Sequence, residues 1–138
     1  MKKIMIACST AFYNEINEIS KYLKEHDYEI IYPNGYNEEY EELDDITKQY
    51  KLFYTMSQEK ISSADELLVL NITKTKNNKT LNNYIGPSTF LEMYEAFMQN
   101  KKIYLYTNFP DEDHILFDDI KAMNPICLNK EIEVILND

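Results

Sequence analysis

Glu66-Leu67-Leu68-Val69-Leu70-Asn71 is the stretch on which the fold turns. Its unbroken aliphatic run leaves no polar face, the pattern of a strand buried on both sides of a parallel sheet. Toward the N-terminus, Lys3 to Cys8 is another short apolar run suited to a buried strand. Asn14 to Glu25 follows, with Ile16, Ile19, Tyr22 and Leu23 at helical spacing. Tyr28 to Tyr32 reads as a further strand, stopped by the breaker cluster Pro33-Asn34-Gly35. From Asn37 the chain turns acidic, yet Tyr40, Leu43, Thr47, Tyr50 and Tyr54 keep a helical stripe. This pattern predicts a helix or helix pair from Asn37 to about Ser62 with a solvated acidic face.

Toward the C-terminus, Ile72 to Asn83 reads as a polar, mobile loop rich in Thr, Asn and Lys. A helix is expected from about Thr89 to Asn100, and a strand from Lys102 to Tyr106. Asp111 to Met123 holds a short or irregular helix, Ile126 to Leu128 a fifth strand, and Glu131 to Leu136 an amphipathic end. Strands alternating with helices predict an α/β fold, a parallel sheet of about five strands covered on both faces by right-handed crossovers. Residues 1–138 are expected to form one domain. Ligands of such folds bind at the carboxyl ends of the strands, near the point where strand order reverses. Cys8-Ser9-Thr10, Pro33-Asn34-Gly35, Asn71-Ile72-Thr73 and Asn108 fall there, beside the helix that opens at Gly86.

Composition narrows the chemistry. The chain is 44% hydrophobic and carries a net charge of −10, which argues against nucleic acid and anionic membranes as partners. All 14 basic residues are lysine, so no guanidinium clamp or arginine finger is available. Any phosphate would rest on backbone N–H groups, hydroxyls or lysine. Cys8 and Cys127 sit inside apolar runs as small hydrophobes, and His26 and His114 are isolated among charged residues. No Cys/His spacing suggests a metal, and no motif calls for a cofactor. No apolar run reaches membrane-spanning length, and the stretch from Ile4 to Cys8 is too brief for a signal-peptide core, so a cytoplasmic location is expected.

The segment Tyr84-Ile85-Gly86-Pro87-Ser88-Thr89-Phe90-Leu91-Glu92-Met93-Tyr94-Glu95-Ala96 carries the functional signal. Gly86, Pro87, Ser88 and Thr89 suit a helix entrance, whose open N–H groups and positive dipole end favour an anion. Glu92 has two readings. Thr89-Phe90-Leu91-Glu92 matches a capping box, in which the glutamate bonds back to the cap N–H. Alternatively, Glu92 is a carboxylate nucleophile at the cleft, able to stabilise and trap an oxocarbenium-like sugar carbon. Ser9 and Thr10 either contact a ligand or cap the next helix. Asn71 either bonds a sugar hydroxyl or closes its loop, and it excludes a phosphoryl-accepting aspartate at that strand end. Tyr13, Tyr36 and Tyr40 are candidates for stacking on a base.

The run from Tyr84 to Glu92, with Ala96 and then Lys101-Lys102-Ile103, resembles the signature region of the nucleoside 2-deoxyribosyltransferase superfamily. Met5-Ile6-Ala7-Cys8-Ser9-Thr10 and Ala64-Asp65 before the central strand fit the same layout. Asn71 stands where that family usually carries an aspartate, Met5 where a tyrosine is common, and Pro87 where a small flexible residue is usual. The resemblance implies a flavodoxin-like three-layer sandwich and a homodimer or higher homo-oligomer sharing active-site parts. It also implies a nucleoside or nucleotide substrate. Glu92 would attack C1′ to form a glycosyl-enzyme intermediate, with Ser9, Thr10, Asn71, Gly86, Ser88 and Thr89 as binding groups. The donor to the leaving base is either Asp111 or a residue from a partner subunit. Two other readings share the fold: a non-catalytic nucleotide-binding domain, and an FMN module using Ser9-Thr10-Ala11 as its phosphate loop.

Overall fold

The computed structural model describes residues 1–138. Strands β1 (Lys2–Ala7), β2 (Tyr28–Ile31), β3 (Glu66–Val69), β6 (Lys102–Leu105) and β7 (Ile126–Cys127) form one parallel sheet. The spatial order is β2-β1-β3-β6-β7, so the chain reverses its direction of travel between β1 and β3. Helices α1 (Ile16–Glu25), α2 (Ile46–Ser63), α3 (Pro87–Met98) and α4 (Phe117–Ala122) connect the strands. The result is the flavodoxin-like three-layer arrangement.

The pleat divides the core in two. Ile4 and Ile6 of β1, with Leu68, Leu70 and Tyr104, face α1 and its Ile16, Ile19 and Leu23. Met5 and Ala7, with Leu67, Val69, Ile103 and Leu105, face the other way onto Ile61 of α2, Met93 and Ala96 of α3, and Ile120 of α4. Met5 is therefore a core residue with no exposed surface. At the far end of the sheet, buried Glu66 accepts a bond from the Tyr104 hydroxyl at 3.2 Å, and Asp138 accepts from the same hydroxyl at 3.1 Å.

Three expectations change. No helix forms between Asn37 and Asp44; α2 begins only at Ile46. Asp45 caps it, its carboxylate accepting from the N–H groups of Thr47 and Lys48 at 2.8 and 3.1 Å. Crowded carboxylates from Glu38 to Asp44 disfavour a continued helix. The Gln49 side chain instead satisfies the Leu43 N–H and the Glu41 carbonyl. Second, the polar segment after Asn71 is a hairpin, β4 (Lys74–Lys76) with β5 (Lys79–Leu81). Asn77 and Asn78 turn it at φ of 52° and 62°, the left-handed conformation that asparagine tolerates. Third, α3 starts at Pro87 with Gly86 as its cap, so Thr89 lies inside the first turn. The capping box does not form.

The remaining elements fall near their expected places. The helix after β1 opens as a 3-10 turn, Thr10–Glu15, capped by the Ser9 hydroxyl accepting from the Ala11 N–H. His26 is exposed and His114 partly so, while Cys8 is buried and Cys127 half-buried. No helix is long and apolar enough to cross a membrane.

Candidate active site

A cleft of about 760 Å³ opens at the carboxyl end of β1, between the turn that follows β1 and helices α2 and α3. Its position matches the topological switch between β1 and β3, where loops diverge and leave a crevice. Ser9, Thr10, Gly86, Ser88, Thr89 and Glu92 all line it. Asn71 does not: it is fully buried, its amide donating to the Asn108 carbonyl at 2.6 Å and accepting from the Thr107 N–H at 3.1 Å. Of the strand-end groups, Cys8, Pro33 and Asn34 join the cleft, whereas Ile72, Thr73 and Asn108 lie outside it. Asp111 is also outside, bonded to Asn82 at 3.2 Å.

Glu92 sits one turn into α3, and its Oε2 accepts a 2.7 Å hydrogen bond from the Ser57 hydroxyl of α2. No protein donor reaches Oε1, which is not sealed off from the cleft. The residue keeps partial exposure, but its carboxyl group is heavily desolvated. Burial raises its pKa from the ordinary 4.5 to about 7, against the downward pull of the Ser57 bond and the Lys60 charge. Lys60 is in turn paired with Glu38 from the acidic segment.

Two neighbours are held neutral. Burial, with the Glu92 charge adding to it, pushes the Cys8 thiol up to about 12. The Tyr13 phenol also rises to about 12, mainly by burial, and donates to the Asn34 carbonyl at 2.8 Å. Neither is a thiolate or phenolate nucleophile at neutral pH. Glu92 is the group in the cleft poised to change ionisation there.

The walls suit a planar ring with polar edges. Tyr13, Tyr40, Phe53, Tyr54, Tyr84 and Tyr94 supply aromatic surface. Tyr40 packs edge-on against Phe53 with centroids 4.9 Å apart, and Tyr36, outside the cleft, braces Tyr13 at 5.6 Å. Gly86 makes room for this wall: a Cβ there would meet the Tyr84 hydroxyl at 3.1 Å. Pro87 at the first helical position removes one N–H, leaving those of Ser88 and Thr89 at the open end. Lys51 contributes a cation to the lining, and Glu95, fixed by Gln58 at 2.9 Å, a second carboxylate. No three His, Cys, Asp or Glu side chains group to hold a metal ion.

Sequence reasoning missed the α2 wall, Ser57 above all. Its signal was a small hydroxyl standing in the helical stripe between Phe53 and Ile61, where an aliphatic residue would bury better.

No family model matches the sequence, and no curated protein matches it. Solved structures do. The chain is similar to the CMP N-glycosidase BcmB of Clostridium botulinum, with TM-score 0.55 and 17% identity, over 99% of this chain and 97% of that one. It is similar to a 2-deoxyribosyltransferase from Bacillus psychrosaccharolyticus, with TM-score 0.54 and 16% identity, over 91% and 97%. A conserved protein from Enterococcus faecalis V583 aligns with TM-score 0.56 and 18% identity, over 94% and 79%. The chain thus shares its fold, almost end to end, with a nucleotide N-glycosidase and a deoxyribosyltransferase, in keeping with the family resemblance of its Tyr84–Ile103 segment.

Proposed function

We propose that this chain breaks the N-glycosidic bond of a nucleoside or nucleoside 5′-monophosphate, with Glu92 as the nucleophile. The observation that carries this reading is the Glu92 carboxylate in an aromatic-walled cleft: Oε2 is tethered to Ser57, and no protein donor takes Oε1. Oε1 attacks C1′ as the C1′–N bond breaks, and the base departs with the bonding pair and takes up a proton. A sugar ester of Glu92 remains. Water releases the sugar, or a second base accepts it, with Glu92 restored as the leaving carboxylate.

The other expected contacts follow from placement. Ser9, Thr10, Ser88, Thr89 and the open N–H groups of α3 offer hydroxyl or phosphate contacts at one edge, and Gly86 allows close approach. Tyr13 and Tyr40 offer faces for the base. Asn71, bonded to Thr107 and Asn108 away from the cleft, has no part in this scheme. Exposed Leu91, Tyr94 and Met98 of α3, beside Tyr50 and Tyr54 of α2, are where a second copy of the chain would pack to form the homo-oligomer that the resemblance implies.

Incubation with a panel of ribo- and deoxyribonucleosides and their 5′-monophosphates, following free base by chromatography, tests the proposal. Base release from at least one member is the expected result. Tight binding of a nucleotide with no release would instead assign a sensing or sequestering domain, and release unaffected by Glu92→Ala would remove the nucleophile.

A further inference from the structure

We propose that Ser57, oriented by Asn34, is a positioning residue for Glu92, fixing Oε2 so that Oε1 faces the reacting sugar carbon. This rests on the nucleophile reading of Glu92 above. The donor directions follow from the atoms involved. The Asn34 Nδ2 lies 2.9 Å from the Ser57 Oγ and can only donate. The serine therefore accepts from Asn34 and has its single proton left for the Glu92 carboxylate, 2.7 Å away.

Asn34 also settles a competition. A serine within a helix commonly turns its hydroxyl onto the carbonyl four residues back. For Ser57 that acceptor is the Phe53 carbonyl, and the second Nδ2 proton of Asn34 occupies it at 3.1 Å. The amide cannot usefully flip, because its oxygen would then face that carbonyl oxygen. In the observed orientation Oδ1 is buried without a partner, a cost the fold bears while both Nδ2 bonds are made. The Asn34 backbone is pinned in turn by the Tyr13 hydroxyl at 2.8 Å. The strand-end breaker Pro33-Asn34-Gly35 thereby reaches across to α2 and sets a side chain on α3.

The other charged and titratable groups facing Glu92 are Lys60 on α2, Cys8 at the end of β1 and Tyr13 in the turn beyond it. Lys51 on α2 and Glu95 on α3 line the same cleft, and Glu38 is held by Lys60. Only Ser57 donates a hydrogen bond to the carboxylate. Its loss withdraws a donor from the charged form, which raises the ionisation midpoint, and frees the carboxylate to turn away from the sugar carbon, which lowers the rate.

Ser57→Ala is expected to lower kcat by about tenfold to a hundredfold with KM little changed, the range for a reacting group left out of its attacking geometry. The acid limb of kcat/KM should move up by about one pH unit. Ser57→Thr, which keeps the hydroxyl, should restore both. Asn34→Ala should move them less in the same direction, since the serine proton is then free to turn to Phe53. A second readout needs no turnover: carboxyl-carbon NMR titration of Glu92 in the full chain, assigned with Glu92→Gln. An unchanged Glu92 midpoint and unchanged kcat in Ser57→Ala would overturn the proposal. Should that variant not fold, Asn34→Ala carries the same readouts, and no change in either would overturn the proposal. A wild-type chain inert toward every substrate, whose Glu92 midpoint nevertheless rises in Ser57→Ala, would overturn the reaction and leave the relay standing.

Discussion

Glu92→Ala is expected to lower base release by about a thousandfold or more while leaving the protein folded. The estimate comes from the charge alone. As the C1′–N bond breaks, positive charge grows on the sugar within roughly 4 Å of the carboxylate. At an effective dielectric near 20 such a pair is worth about 4 kcal/mol, or about three powers of ten in rate. Loss of the covalent intermediate adds to this figure. Glu92→Gln, which keeps the shape and can still accept from Ser57, should lose as much, because only the anion attacks. Side chains that merely hold the substrate would behave differently: Ser88→Ala should raise KM and spare kcat. Steady-state rates of free-base formation, with circular dichroism as the check on folding, decide the matter.

Removing the same carboxylate should make the protein more stable at alkaline pH. Unfolded, Glu92 ionises near 4.5; folded, near 7. Between those values the native state holds a proton that the unfolded chain has released. Stability contributed by this group is therefore complete below about pH 4.5, falls as pH rises, and is fully lost above about 7. The raised value corresponds to about 3 kcal/mol, an upper figure for a desolvated group. Glu92→Gln should accordingly exceed the wild type by up to about 3 kcal/mol at pH 8 and match it near pH 4. Activity has the opposite sign. The nucleophile must be ionised, so kcat/KM should climb through about pH 7 toward a plateau. Urea unfolding at the two pH values and a pH–rate profile check both halves. A variant gap that does not grow with pH would contradict the buried-charge description of Glu92.

The sheet was legible because its information is local. Leu67-Leu68-Val69-Leu70 and the run from Ile4 to Cys8 have no polar face, so they could only be covered on both sides, and the alternating helices supply the cover. Glu92 was legible as a candidate because a small-residue helix entrance at a strand end is a recurrent ligand position. Its surroundings were not legible. Ser57 and Asn34 are separated from Glu92 by 35 and 58 positions, and no spacing rule joins a hydroxyl on one helix to a carboxylate on the next. The segment Asn37–Asp44 misled because a Tyr40–Leu43–Thr47 stripe says nothing of carboxylate crowding or of Asp45 acting as a cap. The hairpin misled because its strands, Lys74–Lys76 and Lys79–Leu81, are too short and polar to show alternation. Asn71 stands at the strand end foreseen for it, but tertiary contacts with Thr107 and Asn108 consume its amide.

The assignment of Glu92 as nucleophile meets its sharpest test in a trapped intermediate. A 2-fluoro-substituted arabinosyl nucleoside slows both formation and breakdown of the glycosyl ester, because fluorine beside the anomeric carbon destabilises the developing cation. After incubation, the intact chain should gain the mass of one fluorosugar as free base appears. The modified peptide should carry it on Glu92, and Glu92→Ala should carry none. Base release with no adduct on the chain, or with the sugar attached to any other residue, would contradict the assignment.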